Sequence, residues 1–122
     1  MKKLLMSIIT ALALSQSAVA GIGQTTKITL ESVAVLGDQL GARTEIKVKN
    51  GFTPPSDVFC DTSYISTKNT ADPNGAMLSS LRDAIIAKHR VRLWITDEQA
   101  DIAVTGRCSL LSVSILKLSR PD

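Results

Sequence analysis

Two cysteines, one histidine and a short acidic run are the side chains of this 122-residue chain best equipped for chemistry. Cys60 and Cys108 lie far apart in sequence. A redox or zinc pair needs C-x-x-C spacing or further sulfur and imidazole ligands, and His89 is the only histidine. Paired thiols in an exported chain therefore read as a structural disulfide. His89 stands among Lys88, Arg90 and Arg92, where a helix end accounts for it. Asp97, Glu98 and Asp101 could bind a hard cation, but they lack the interleaved Asp/Asn-Gly pattern of a calcium loop and read as a solvated acidic turn. Neither a nucleophile elbow nor an HExxH run is present, and Gly21-Ile22-Gly23 follows no strand, so it reads as a flexible segment and not a phosphate loop. The expectation is no enzyme, no metal and no cofactor. A Ser-His-Asp triad stays open, because its members need not be adjacent in sequence.

Trp94 is the only tryptophan, in a chain with one tyrosine and two phenylalanines. In Arg90–Ile95 the residues Val91, Leu93 and Ile95 alternate with Arg90, Arg92 and Trp94, as in a strand with one apolar face. Trp beside Arg on an outer face is the composition of a contact hot spot. If a second layer covers that face, Trp94 is ordinary core instead. Both readings stand at this point. Trp94, Arg92 and Arg90 are the candidate contact residues.

The elements around these residues follow from periodicity. Lys27–Leu36 alternates with one slip at Ser32–Val33, predicting a bulged strand that turns at 37–41 into a second strand over Arg43–Lys49. Pro54-Pro55 breaks the chain, and a third strand is expected from Val58 to about Ser66, carrying Cys60 and Ile65. Met77, Leu81, Ala84, Ile85 and Lys88 form one stripe of a helix over about Ala76–His89, with Asp72 or Asn74 available as its cap. Further strands are expected at Arg90–Ile95, briefly at Ile102–Val104, and at Leu110–Leu118. The resulting class is α+β or a small β-barrel: five to six mainly antiparallel strands with one amphipathic helix.

Residues 1–20 read as a cleavable signal peptide. Lys2 and Lys3 precede an apolar run over Leu4–Leu14, and Ala18-Val19-Ala20 offers the small side chains that signal peptidase requires. The run is too short to span a bilayer, which takes roughly 20 residues. Cleavage would leave a single disulfide-closed domain over 21–122, exported to a bacterial periplasm or beyond, with no membrane span. Without Lys2 and Lys3, the 14 basic residues of the chain fall to 12 against 11 acids. The net charge of the domain is then about +1, which gives no argument for nucleic acid or an anionic membrane surface as a partner, and no nucleic acid is expected.

The hairpin, the cysteine-bearing third strand, the helix, the VRLWI strand and the closing CSLLSVSI together resemble the binding (B) subunits of bacterial AB5 toxins of the pertussis and subtilase cytotoxin type. The resemblance spans roughly Ile28 to Ile115 and rests on helix placement, Val91–Ile95, Cys60 and Cys108. It implies an oligonucleotide/oligosaccharide-binding (OB) barrel of five strands, assembly into a ring, and glycan binding. No glycan-binding constellation of that family matches this chain residue by residue. A free-standing exported relative of the fold fits the same residues. The leading functional expectation is a non-catalytic exported module binding a glycan or a protein, as a homo-oligomer or alone. The alternatives are a monomeric periplasmic accessory or inhibitor protein and, third, a small secreted hydrolase.

Overall fold

A computed structural model describes residues 20–117. The leader expected over residues 1–20 lies, apart from Ala20, outside the described residues, as does Leu118 of the last expected strand. Six strands and one helix follow one another as β1 (Ile22–Gln24), β2 (Leu30–Val35), β3 (Arg43–Val48), β4 (Tyr64–Lys68), α1 (Ala76–Ala87), β5 (Arg90–Thr96) and β6 (Ser109–Leu116). They form two antiparallel three-stranded sheets, ordered β1-β5-β6 and β2-β3-β4. The fold is α+β, with one helix packed on both β2 and β6.

Isolated bridges link the sheets at their edges. Ile65 of β4 meets Cys108 in a parallel bridge, and Ile28, ahead of β2, meets Val91 of β5 in an antiparallel one. Ser66 N–H donates to the Cys108 carbonyl at 3.0 Å, and the Thr67 hydroxyl accepts from Leu110 N–H at 3.0 Å. These few bonds satisfy buried backbone groups that would otherwise be orphaned between the sheets. No continuous ladder closes the sheets into a barrel among the described residues.

The periodic segments fold as their patterns dictate. Val91, Leu93 and Ile95 are fully buried, as are Ile46, Ile65 and Leu81, and together they form the centre of the core. On α1 the stripe predicted from sequence packs inward through Leu81 and Ala84, with Met77 and Ile85 at its margins. Asp72 caps the helix, its two carboxylate oxygens accepting from Met77 N–H at 3.1 Å and Leu78 N–H at 3.0 Å. The helix stops at Ala87, two residues before His89, because Lys88 turns into the left-handed region at φ 57°. His89 N–H then reaches back to the Ala84 carbonyl at 2.9 Å, closing the helix end in the manner of a Schellman turn.

Four expectations need correction. The strand expected from Lys27 is β2, which begins at Leu30, and its register slips between Leu30 and Ser32, slightly earlier than the alternation suggests. The strand expected from Val58 is β4, which starts at Tyr64. Asp61 explains the delay, since its Oδ2 accepts from Ser63 N–H at 3.1 Å and Tyr64 N–H at 2.9 Å, a local turn that competes with extended pairing. Ile102–Val104 is no strand; Ile102 makes one bridge to Thr67 after a 3-10 turn over Gln99–Asp101. Gly21-Ile22-Gly23 is no loose end either, because β1 pairs with β5 from Ile22–Thr96 to Gln24–Trp94.

Cys60 and Cys108 are bonded, with Cα atoms 5.4 Å apart across a sequence separation of 48. The chain-entropy contribution for such a loop is about 4 kcal/mol, a large share of typical domain stability. Replacing both cysteines by Ala should lower stability by roughly 2–5 kcal/mol in urea unfolding. An unchanged midpoint would show that the bridge adds nothing to the noncovalent core.

Candidate functional site

Two outward surfaces collect polar and aromatic side chains. The first is the outer face of β5. Arg90, Arg92 and Trp94 are all exposed there, opposite Leu116, Ser114 and Ser112 of β6, with Gln24 of β1 beside Trp94. Trp94 is 42% exposed, so neither the helix nor another strand covers this face. Buried Val91, Leu93 and Ile95 on the opposite side hold the strand in the phase that points the three contact candidates outward.

The second surface lies on β3 and β4, beside the disulfide. Arg43, Glu45 and Lys47 project outward from β3 because Thr44, Ile46 and Val48 take the inner face. Cross-strand pairing sets Lys47 against Tyr64 and Glu45 against Ser66. Arg107 joins them from the segment leading into β6. Its Nη1 donates to Glu45 Oε1 at 2.9 Å and to Ser66 Oγ at 3.3 Å, and its guanidinium lies 4.5 Å from the centroid of the Tyr64 ring. Arg43 contacts the same Glu45 oxygen at 2.9 Å and is also anchored by the Leu40 carbonyl. Lys47 pairs with Glu31 at 2.8 Å, and its ammonium sits 5.9 Å from the Tyr64 ring.

These contacts fix charge as well as position. The Arg43 guanidinium, with help from Arg107, holds the Glu45 carboxyl below its usual range against a smaller opposing effect of burial. Backbone N–H groups of Tyr64 and Ser63 do the same for Asp61. The Glu31 carboxylate raises the Lys47 ammonium above its usual value.

Asp61, Ser63, Tyr64, Thr105, Gly106 and Arg107 line an open cleft of about 560 Å³. Gly106, at φ 88°, supplies the left-handed turn that brings Arg107 to its rim, and the Gly106 carbonyl accepts from Asp61 N–H at 2.7 Å. Asp61 uses only Oδ2 for its backbone bonds, and Arg107 uses only Nη1 for its side-chain bonds among the described residues. Asp61 Oδ1 and the Arg107 side-chain nitrogens other than Nη1 make no hydrogen bond among the described residues.

The sequence did not single out this cluster. Tyr64 is the only tyrosine, a signal that was available, but Glu45 and Arg107 are 62 positions apart and meet only through the fold. The other chemical candidates stay apart. His89 lies at the helix end, half-buried, with its backbone N–H engaged. Of the acidic turn, Glu98 and Asp101 are exposed, whereas the Asp97 carboxylate turns inward to Gly21 N–H and Phe59 N–H. No three metal-ligating side chains converge among the described residues. No helix of the described residues is long and apolar enough to cross a membrane.

No protein-family model, curated protein or solved structure matches this chain. Its surfaces must speak through their chemistry.

Glu45 has a depressed carboxyl, so its stabilising contribution is present above the ordinary carboxylate value and is lost as pH falls through its lower folded value. Glu45→Gln should cost about 1 kcal/mol at neutral pH, the scale of a half-buried charge-assisted contact. Thermal melts at pH 7 and near pH 3 check this. The gap between native protein and variant should narrow in acid, and a gap independent of pH would exclude the ion pairs as its source.

Proposed function

We propose that the protein is an exported, non-catalytic binding module that takes a glycan in the cleft between Asp61 and Arg107. One observation carries the reading: a guanidinium clamped by Glu45 and stacked on Tyr64, beside a carboxylate fixed by two backbone N–H groups. A vicinal diol donates to a carboxylate and accepts from a guanidinium, and groups already immobilised lose little entropy on binding it. The edge bridges of Ile65 to Cys108 and Ile28 to Val91 support reading the two sheets as halves of a small oligosaccharide-binding-type barrel. Ligands of such barrels lie on the second and third strands and on the loop before the last strand. With the five barrel strands counted from β2 to β6, those are β3, β4 and the segment carrying Arg107. The reading agrees with the toxin B-subunit resemblance and equally with a free-standing exported relative.

A glycan-array screen of the disulfide-bonded protein tests it. Binding to a defined glycan class is expected, with Arg107→Ala and Asp61→Asn each weakening affinity about tenfold, as for loss of one hydrogen-bonded charged contact. Their far-ultraviolet circular dichroism should match that of the native protein. Glycan binding undiminished in both variants would remove the cleft from consideration.

A second surface is favoured by Trp94, whose 42% exposure on an uncovered strand face suits a protein contact, including another copy of the chain. Because it is the only tryptophan, its fluorescence reports that contact directly. The native protein should show a mass above that of a monomer and poor quenching of Trp94 by iodide, and Arg92→Glu should restore both monomer mass and quenching. Strictly monomeric native protein with freely quenched Trp94 excludes a self-contact here.

A further inference from the structure

Gly21 sits in a socket that only glycine fits. It is buried, and a Cβ built on it would lie 1.8 Å from the Asp57 carbonyl oxygen. Its carbonyl accepts from the Thr96 hydroxyl at 2.9 Å and from Asp97 N–H at 3.3 Å. Its nitrogen donates to Asp97 Oδ1 at 2.7 Å, while Asp97 Oδ2 accepts from Phe59 N–H at 2.9 Å. Thr96 in turn is 1% exposed, with its hydroxyl oxygen also accepting from Glu98 N–H at 3.1 Å. One oxygen of this half-buried carboxylate serves the Phe59 amide, and the other is aimed at the Gly21 nitrogen just ahead of the three-residue strand β1. That second oxygen is apt for an ammonium.

We infer that cleavage after Ala20 converts the Gly21 nitrogen into an α-ammonium that Asp97 captures as an internal ion pair, locking β1 and the Phe59–Cys60 segment onto β5. The inference rests on the processing site expected from Ala18-Val19-Ala20. Hydrolysis of the Ala20–Gly21 peptide bond leaves a carboxylate on Ala20 and an amine on Gly21, which is protonated at neutral pH because its ordinary pKa is about 7.7–8.0. One amide N–H thereby becomes three N–H donors and a full charge. The 2.7 Å contact is already of the length found for charge-assisted pairs, which are roughly twice as strong as neutral ones. The socket explains why glycine, rather than another small residue, follows the cleavage site: any side chain at 21 would collide with Asp57, which meets Gly21 through its backbone carbonyl.

The test uses the full chain expressed with its leader in a bacterial host and recovered after export. N-terminal sequencing should read Gly21-Ile22-Gly23; a different first residue overturns the inference by removing its processing premise. Selective acetylation of the α-amine near pH 6.5, where lysines stay protonated, then removes the charge. Acetylation should lower the Tm of the native protein by about 4–8 °C, the shift of a roughly 1 kcal/mol loss in a domain this size. The same treatment should leave the Tm of Asp97→Asn nearly unchanged. Equal Tm losses in both proteins, or none in the native protein, overturn the ion pair while leaving the processing site intact.

Discussion

The bond between Cys60 and Cys108 sits where the two sheets meet, and its neighbours in sequence are the residues that give the molecule its surface chemistry. Asp61 follows one cysteine and Arg107 precedes the other, and the backbone hydrogen bond from Asp61 to Gly106 runs directly beside the bridge. Cys108 is also the residue that meets Ile65 across the sheet junction. Phe59, before Cys60, is held by Asp97. The crosslink joins the buried side chains of Phe52 and Val58 in ordering a long irregular segment, from Gly51 to Ser63, that contains no strand or helix.

Around that crosslink the molecule divides labour between its faces. The inner faces of β3, β4 and β5 are aliphatic apart from Thr44, Thr67 and Thr96, and contribute the centre of the core. The outer face of β3 and β4 carries an ordered lattice of opposite charges around Tyr64, with Arg43, Lys47 and Arg107 each held by a carboxylate within 2.9 Å. The outer face of β5 is different in character, with Arg90, Arg92 and Trp94 engaged in no ion pair among the described residues. One face has its charges mutually paired. The other presents its two arginines to solvent.

What was legible in the sequence was whatever repeats locally. The phase of β5 and the stripe of α1 are written in residues two to four positions apart, and Asp72 announces the helix cap. Elements whose cause is distant were not legible. β1 carries no hydrophobic period, since Gly21 and Gly23 are there for close packing against Asp57 and Pro55. Val58-Phe59-Cys60 has strand composition but is bent by an Asp61 turn and a crosslink. The Arg107 cluster escaped notice because each of its members is unremarkable alone: a strand glutamate, a strand tyrosine and a loop arginine. The disulfide, by contrast, was inferable without any geometry, because only two thiols were available to pair.

The flanking of the disulfide by Asp61 and Arg107 has a consequence for timing. With the thiols still reduced, nothing covalent would hold the acceptor and donor walls of the cleft together, and each belongs to a different, separately tethered stretch of chain. Under the proposed glycan reading, oxidation would tighten the spacing of those walls rather than create it. A newly made polypeptide would then hold a matching sugar weakly, and grip it fully only where its bridge can close.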